Sequence, residues 1–158
     1  MNILSFLMQL VSFPGERMPF LIGVALVSFY FYFKKYYKVA NIFVLANLFT
    51  ILLVQILKRL IAEPRPLGAL EMGFGFPSQH TASYVVFWGI LMVTTTNKLL
   101  KILGLLMITL VGISRVYLGE HWTIDVIGGY TIGFMVLGLA WWWISRRGLQ
   151  KLSPTLHS

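Results

Sequence analysis

The sequence predicts an all-α polytopic membrane helix bundle, with five transmembrane helices preceded by an amphipathic helix lying in the membrane interface. Two observations set the class. Only 11% of the 158 residues are charged, where a soluble domain carries about 25%, and the mean hydropathy is +0.79. Five apolar stretches also approach the roughly 20 residues that a helix needs to cross a bilayer core of about 30 Å. The length leaves room for one domain, residues 1–158, and neither a linker nor an internal repeat divides it.

The elements follow in order. Residues 1–13, MNILSFLMQLVSF, make only about 20 Å of helix at 1.5 Å per residue, too short to span. Asn2, Ser5, Gln9 and Ser12 fall on one face and Ile3, Leu4, Leu7, Leu10 and Val11 elsewhere, the pattern of a helix lying in the interface. Pro14-Gly15 turns the chain into the first span. The spans are expected at 18–33, 39–57, 80–97, 99–117 and 121–144.

Charge orients these segments, because cytoplasmic connections collect Lys and Arg near the span ends. One set of connections holds Lys34, Lys35, Lys38, Lys98, Lys101, Arg146, Arg147 and Lys151 and no acid. The other holds Arg17, Lys58, Arg59, Arg65 and Arg115 against Glu16, Glu63, Glu71, Glu120 and Asp125, a net charge of zero. The acid-free side is expected in the cytoplasm with the C-terminus, in a bacterial inner membrane. Tyr30, Tyr32, Tyr36, Tyr37 and Trp141 to Trp143 then become interfacial anchors on that side. Gly129 and Gly133 form a GxxxG spacing that lets another helix approach closely, read as internal packing.

Composition also excludes. The net charge of +8 is spread among apolar segments and forms no basic stripe, so nucleic acid is not an expected partner. Zero cysteines exclude disulfides and thiolate metal sites. No Lys or Arg precedes Arg17, so the charged n-region of a cleavable signal peptide is missing.

The same charge assignment gathers Lys58, Arg65, Ser78, His80, Arg115, His121 and Asp125 on one membrane face. Lys58 ends the second span, and Arg65 lies just past the point where Pro64 stops that helix. Ser78, after Pro77, is an N-cap candidate for a helix whose first backbone N–H groups favour an anion such as phosphate. His121 and Asp125, four residues apart at the start of the last span, are expected on one helical face within hydrogen-bonding reach. A carboxylate on one imidazole nitrogen frees the other to act as a base or a nucleophile, and His80 is a second imidazole able to donate a proton. Taken singly, the cations can be snorkelling residues at span ends and Asp125 a pore or relay carboxylate. Together, three cations, two histidines and a carboxylate point to a functional site. Two histidines without a third ligand make a poor zinc site, and the acids do not form a hard-cation cage, so no metal or cofactor is expected. Glu120 and His157 receive no role.

Three spaced motifs carry a family resemblance. Lys-x6-Arg-Pro stands at Lys58, Arg65 and Pro66, Pro-Ser-x-His at Pro77, Ser78, Gln79 and His80, and Ser-Arg-x5-His-x3-Asp at Ser114, Arg115, His121 and Asp125. In this pattern the chain resembles the type 2 phosphatidic acid phosphatase and vanadium haloperoxidase superfamily, and within it the membrane lipid phosphatases. The resemblance implies that His121 forms a phosphohistidine, that Asp125 orients it and that His80 protonates the leaving group. It further implies that Lys58, Arg65, Ser78, Gln79 and Arg115 hold the phosphate, without a metal. Gln79 replaces the glycine usual in the second motif, and the membrane members usually have six spans. The implied substrates are lipid A 1-phosphate or undecaprenyl diphosphate, with phosphatidylglycerophosphate third, attacked at the non-cytoplasmic face. The competing readings are a lipid phosphotransferase using the same intermediate and a small channel or transporter.

Overall fold

A computed structural model of the chain describes residues 2–146, and every element among these residues is helical. Helix α1 is Ile3–Ser12, followed by a single 3-10 turn at Phe13–Gly15. The longer helices are α2 (Arg17–Phe33), α3 (Tyr37–Ile61), α4 (Gln79–Thr94), α5 (Lys98–Tyr117) and α6 (Thr123–Arg146).

Helices α3, α5 and α6 are each long and apolar enough to cross a membrane. Helices α2 and α4, with 17 and 16 residues, fall short of that length on their own. The α1 segment and α2 together have the composition of one span broken by a bend of 56°. That bend lies at the expected Pro14-Gly15 turn, where Pro14 has no N–H to continue a helix.

Local chemistry sets the ends. α3 runs past the expected residue 57 to Ile61, where Ala62 takes a left-handed conformation and caps the helix on the Lys58 carbonyl. The segment Glu63-Pro64 then keeps the chain extended. α4 stops at Thr94, earlier than expected, because Thr95 is extended and Asn97 caps α5 by accepting from Leu99 and Leu100. α6 begins at Thr123, so His121 lies outside the helix, in a turn where Gly119 has φ +70°.

Helix α4 is the hub. It packs against α3, α5 and α6, while α2 lies on α3 and α1 on α5. Nine of its residues are buried, more than in any other helix described. The core runs from Phe20, Val24 and Phe31 of α2 through Val39 and Phe43 of α3 to Val86 and Ile90 of α4 and Val136 and Ala140 of α6. Phe87 joins it through a tilted ring contact to Phe20 and an edge-on contact to Phe43, with centroids 5.8 and 5.2 Å apart. The GxxxG spacing serves internal packing. A Cβ on Gly129 would lie 2.6 Å from the Ser78 carbonyl, and one on Gly133 2.7 Å from Val85, so both glycines let α6 close on α4. That approach seats the start of α4 beside the start of α6, where the Ser78 N–H donates to the Asp125 carbonyl at 2.9 Å. The outward faces are lipid-like: Leu26, Leu52, Leu105 and Leu139 are all exposed.

Candidate active site

The expected residues converge at one end of the bundle, from four helices, the 62–78 connection and the α5–α6 turn. Lys58 is buried in the last turn of α3 and Arg115 in the last turn of α5. His80 is in the first turn of α4, Asp125 in the first turn of α6, and His121 in the turn between α5 and α6. Arg65 comes from the 62–78 connection, with a side chain only 9% exposed.

His121 and Asp125 are paired as expected, but not by helical periodicity. His121 Nδ1 is 3.0 Å from Asp125 Oδ2, which also accepts from the Trp122 N–H at 3.0 Å. The pair is thus made across a turn that the first carboxylate of α6 closes. Among the described residues His121 Nε2 makes no hydrogen bond. Burial, reinforced by Arg65, Lys58 and Arg115, holds the His121 imidazole far below its usual range, hence neutral. Gly75 presses on this pair, since a Cβ there would lie 2.8 Å from Asp125 Oδ2.

The two guanidiniums share one carboxylate that the sequence reading left among the uncommitted acids. Glu71 Oε2 is 2.8 Å from Arg65 Nη2, and Glu71 Oε1 contacts Arg115 Nη2 directly. His80 Nδ1 stands 3.9 Å from the same Oε1. A carboxylate therefore occupies the point on which Arg65, Arg115 and His80 converge, a place with the donors and charge that suit an anion.

Glu120, also without an expected role, holds this arrangement together. Its carboxylate accepts from the backbone N–H groups of Leu70 (3.1 Å) and Glu71 (3.0 Å), and its carbonyl accepts from Arg65 Nη1 at 3.0 Å. The third-motif turn is thereby tied to the 62–78 connection. Lys58 contributes from the other side, its Nζ donating to the carbonyls of Phe74 (2.6 Å) and Gly75 (2.7 Å).

All five expected phosphate ligands thus have protein partners, Arg65 and Arg115 through Glu71 and the other three through backbone or hydroxyl groups. Lys58 grips the connection, leaving one of its three N–H donors. The Ser78 N–H is committed to Asp125, and the Ser78 hydroxyl accepts from Thr81 Oγ1 at 3.0 Å. The Gln79 amide turns back along α4 to Ser83 Oγ at 2.8 Å. Next to Gln79, the first-turn N–H groups of α4 lack intrahelical acceptors, as at any helix N-terminus.

Glu16, from the bend between α1 and α2, was not foreseen here either. Its Oε1 lies 3.5 Å from His80 Nε2, and the imidazole beside it holds the Glu16 carboxyl below its ordinary range. Glu16, Glu71 and His80 place donor atoms within 4.8 Å of one another, a grouping that could hold a metal ion. The guanidiniums already bound to Glu71 oppose a cation there. No pattern in the linear sequence marks Glu16, Glu71 and Glu120, which become neighbours only when the bend, the 62–78 connection and the α5–α6 turn fold onto one another.

Comparison with known proteins gives consistent results. Residues 38–149 match the PAP2 superfamily. An undecaprenyl-diphosphatase of Sulfolobus acidocaldarius is 28% identical over 135 residues, covering 80% of this chain and 65% of the relative. Phosphatidylglycerophosphatase B of Bacillus subtilis is 33% identical over 100 residues, 56% of this chain and 49% of the relative. The chain thus spans less than two thirds of the length of these curated relatives. The crystal structure of a transmembrane PAP2-type phosphatidylglycerolphosphate phosphatase from Bacillus subtilis superposes with a TM-score of 0.85 at 26% identity, covering 96% of this chain and 81% of that one.

Proposed function

The chain belongs to the PAP2 superfamily, and from that premise we propose that it hydrolyses a lipid phosphate or diphosphate in two steps through a phosphohistidine at His121. The buried His121–Asp125 pair beside an anion seat carries this reading. In the first step a lipid phosphate displaces the Glu71 carboxylate from Arg65 and Arg115. His121 Nε2 attacks phosphorus, the bond to the lipid oxygen breaks, and His80 gives that oxygen its proton. In the second step water attacks the phosphohistidine, His80 takes a proton from it, and inorganic phosphate leaves. Asp125 holds the His121 tautomer and stabilises the cation that forms when Nε2 bonds to phosphorus. The guanidiniums, with the remaining Lys58 proton and the α4 N-terminus, stabilise the transferring phosphoryl charge.

Helix length and charge support one topology. From Lys58 back to Tyr37, from Arg115 back to Lys98 and from Asp125 on to Arg146, the helices run about 32, 26 and 32 Å at 1.5 Å per residue. Lys34, Lys35, Lys38, Lys98, Lys101 and Arg146 therefore gather at the end opposite the site, with no acid among them. By the positive-inside rule that end is cytoplasmic and the site opens on the other face. On this reading α2 to α6 are five spans, the short α4 being covered by its neighbours, and α1 lies at the outer interface. Arg147 and Lys151, assigned to the cytoplasmic group, and His157 lie outside the described residues.

Among lipid phosphates, the names of the relatives favour undecaprenyl diphosphate and phosphatidylglycerophosphate, and lipid A 1-phosphate rests on the motif resemblance alone. Phosphate release from these three lipids by the purified chain, with His121→Ala beside the wild type, tests the reading. Hydrolysis of at least one lipid, abolished by the substitution, is expected. A channel would instead keep its conduction in His121→Ala vesicles and release no phosphate from any lipid.

A further inference from the structure

The carboxylate beside His80 belongs to none of the three motifs. Glu16 stands at the bend between α1 and α2, in the N-cap position of α2, yet its side chain makes no capping hydrogen bond. Its backbone does the structural part, the N–H donating to the Phe13 carbonyl at 3.0 Å and the carbonyl accepting from the Phe20 N–H at 2.9 Å. The half-exposed side chain faces His80 instead. Two long-range hydrogen bonds hold the bend in this place. Ser12 Oγ lies 2.7 Å from Ser114 Oγ, one residue before Arg115, and the Tyr84 hydroxyl donates to the Val11 carbonyl at 2.7 Å. Gly15 brings the backbone of the bend against the imidazole, so closely that a Cβ there would collide with His80 Cδ2.

The ring has a use for that carboxylate. The His80 side chain is only 7% exposed, and its buried Nε2 makes no hydrogen bond among the described residues. Buried ring nitrogens are normally paired, and the group facing this one is Glu16 Oε1, 3.5 Å away. A good N–H···O hydrogen bond is about 3.0 Å long, so a small movement of the half-exposed Glu16 side chain closes it. The other ring nitrogen faces the anion seat, with Nδ1 3.9 Å from Glu71 Oε1. The imidazole thus lies between two carboxylates, one that a phosphate displaces and one that stays.

We propose that Glu16 is the positioning residue of His80, its carboxylate accepting from Nε2–H so that Nδ1 is the nitrogen that gives and takes the proton at the anion seat. The assignment rests on the proton-transfer role given to His80 in the phosphatase reading. As the bond from phosphorus to the lipid oxygen breaks, the Nδ1 proton passes to that oxygen and the ring becomes neutral, its Nε2–H still held by Glu16. Nδ1 then takes a proton from the water that attacks the phosphohistidine, and the imidazolium that re-forms lies against the Glu16 charge. The test is a double-mutant cycle on kcat in the full-length chain, using whichever of the three lipids above the wild type hydrolyses, with ³²P in its terminal phosphate. Glu16→Gln should lower kcat about tenfold to a hundredfold, a part of the roughly 10²- to 10⁴-fold that a proton-transferring side chain supplies, and should change KM less than about twofold. In a His80→Ala background the same substitution should change kcat less than about twofold, because the ring it positions is gone. Gly15→Ala, which pushes on the ring from the same bend, should repeat this pattern. Equal losses from Glu16→Gln in the two backgrounds, or no loss with His80 present, overturn the role of Glu16 and leave the phosphohistidine at His121 intact. Wild-type turnover in His80→Ala removes His80 from the chemistry and Glu16 with it, and turnover kept in His121→Ala overturns the phosphatase reading itself.

Discussion

The two ends of the bundle carry almost all of the charge and handle it in opposite ways. At the end away from the site, Lys34, Lys35, Lys38, Lys98 and Lys101 are exposed and, among the described residues, pair with no carboxylate. Among the described residues there, the Arg146 guanidinium lies 4.5 Å from the centre of the Trp142 ring. At the site end, Lys58, Arg115, Glu120, His121 and Asp125 are buried, and each has a hydrogen-bonded or ionic partner from another element or from across a turn. Exposed, unpaired cations cost little and orient a chain in its membrane. Buried charges are kept only when they are paired, and a buried ion network is a poor route to stability. The site end is accordingly built for something other than holding the bundle together.

Substitutions that discriminate between the ends put this to work, and the largest effect is expected at Asp125. Asp125→Ala leaves His121 Nδ1 without its carboxylate and should lower kcat about 10⁴-fold, as loss of a histidine-orienting aspartate does elsewhere; a fall under tenfold in a steady-state phosphate-release assay would detach Asp125 from the chemistry. Glu120→Ala removes the acceptor of two backbone N–H groups. Thermal or denaturant unfolding in detergent should register a loss of about 2 to 4 kcal/mol, taking about 1 to 2 kcal/mol for each charge-assisted bond, and limited proteolysis should become faster within residues 62–78. Glu71→Gln weakens the internal occupant of the anion seat, so inorganic phosphate should inhibit about tenfold more tightly, a gain of about 1.4 kcal/mol. If the inhibition constant of phosphate stays put, Glu71 does not compete for that seat. Lys34→Ala and Lys98→Ala, at the exposed end, should change turnover less than twofold and stability by under about 0.5 kcal/mol. Their measurable consequence is expected in topology, through accessibility of introduced cysteines on either side of vesicles.

The same contrast explains which features the sequence carried. Motif spacing named His80, Arg115, His121 and Asp125 because groups that converge at one end of a bundle must sit at fixed offsets from helix ends, and the apolar periods placed the helices to within a few residues. The exact start of α6 was missed because the acidic first turn and Gly119 act together to form a turn that resembles one more helical step in the sequence. Glu16, Glu71 and Glu120 were read only as charges that balance a membrane face. Their partners lie on other elements: 49 and 50 residues away for the bonds from Glu120 to Glu71 and Leu70, and 44 for the bond from Glu71 to Arg115. No local pattern records such distances. Lys58 and Gln79 carry a related lesson, since a motif position specifies a residue type but not whether it grips the substrate or its own chain.

In the proposed reaction His121 is the group that takes the phosphoryl. Rapid-quench labelling with a lipid carrying ³²P in its terminal phosphate, followed by peptide mapping, tests this directly. A label that survives alkali, is lost in acid, maps to His121 and disappears in His121→Ala is the predicted result. Steady release of phosphate with no labelled protein at any quench time, or with turnover kept in His121→Ala, would contradict it.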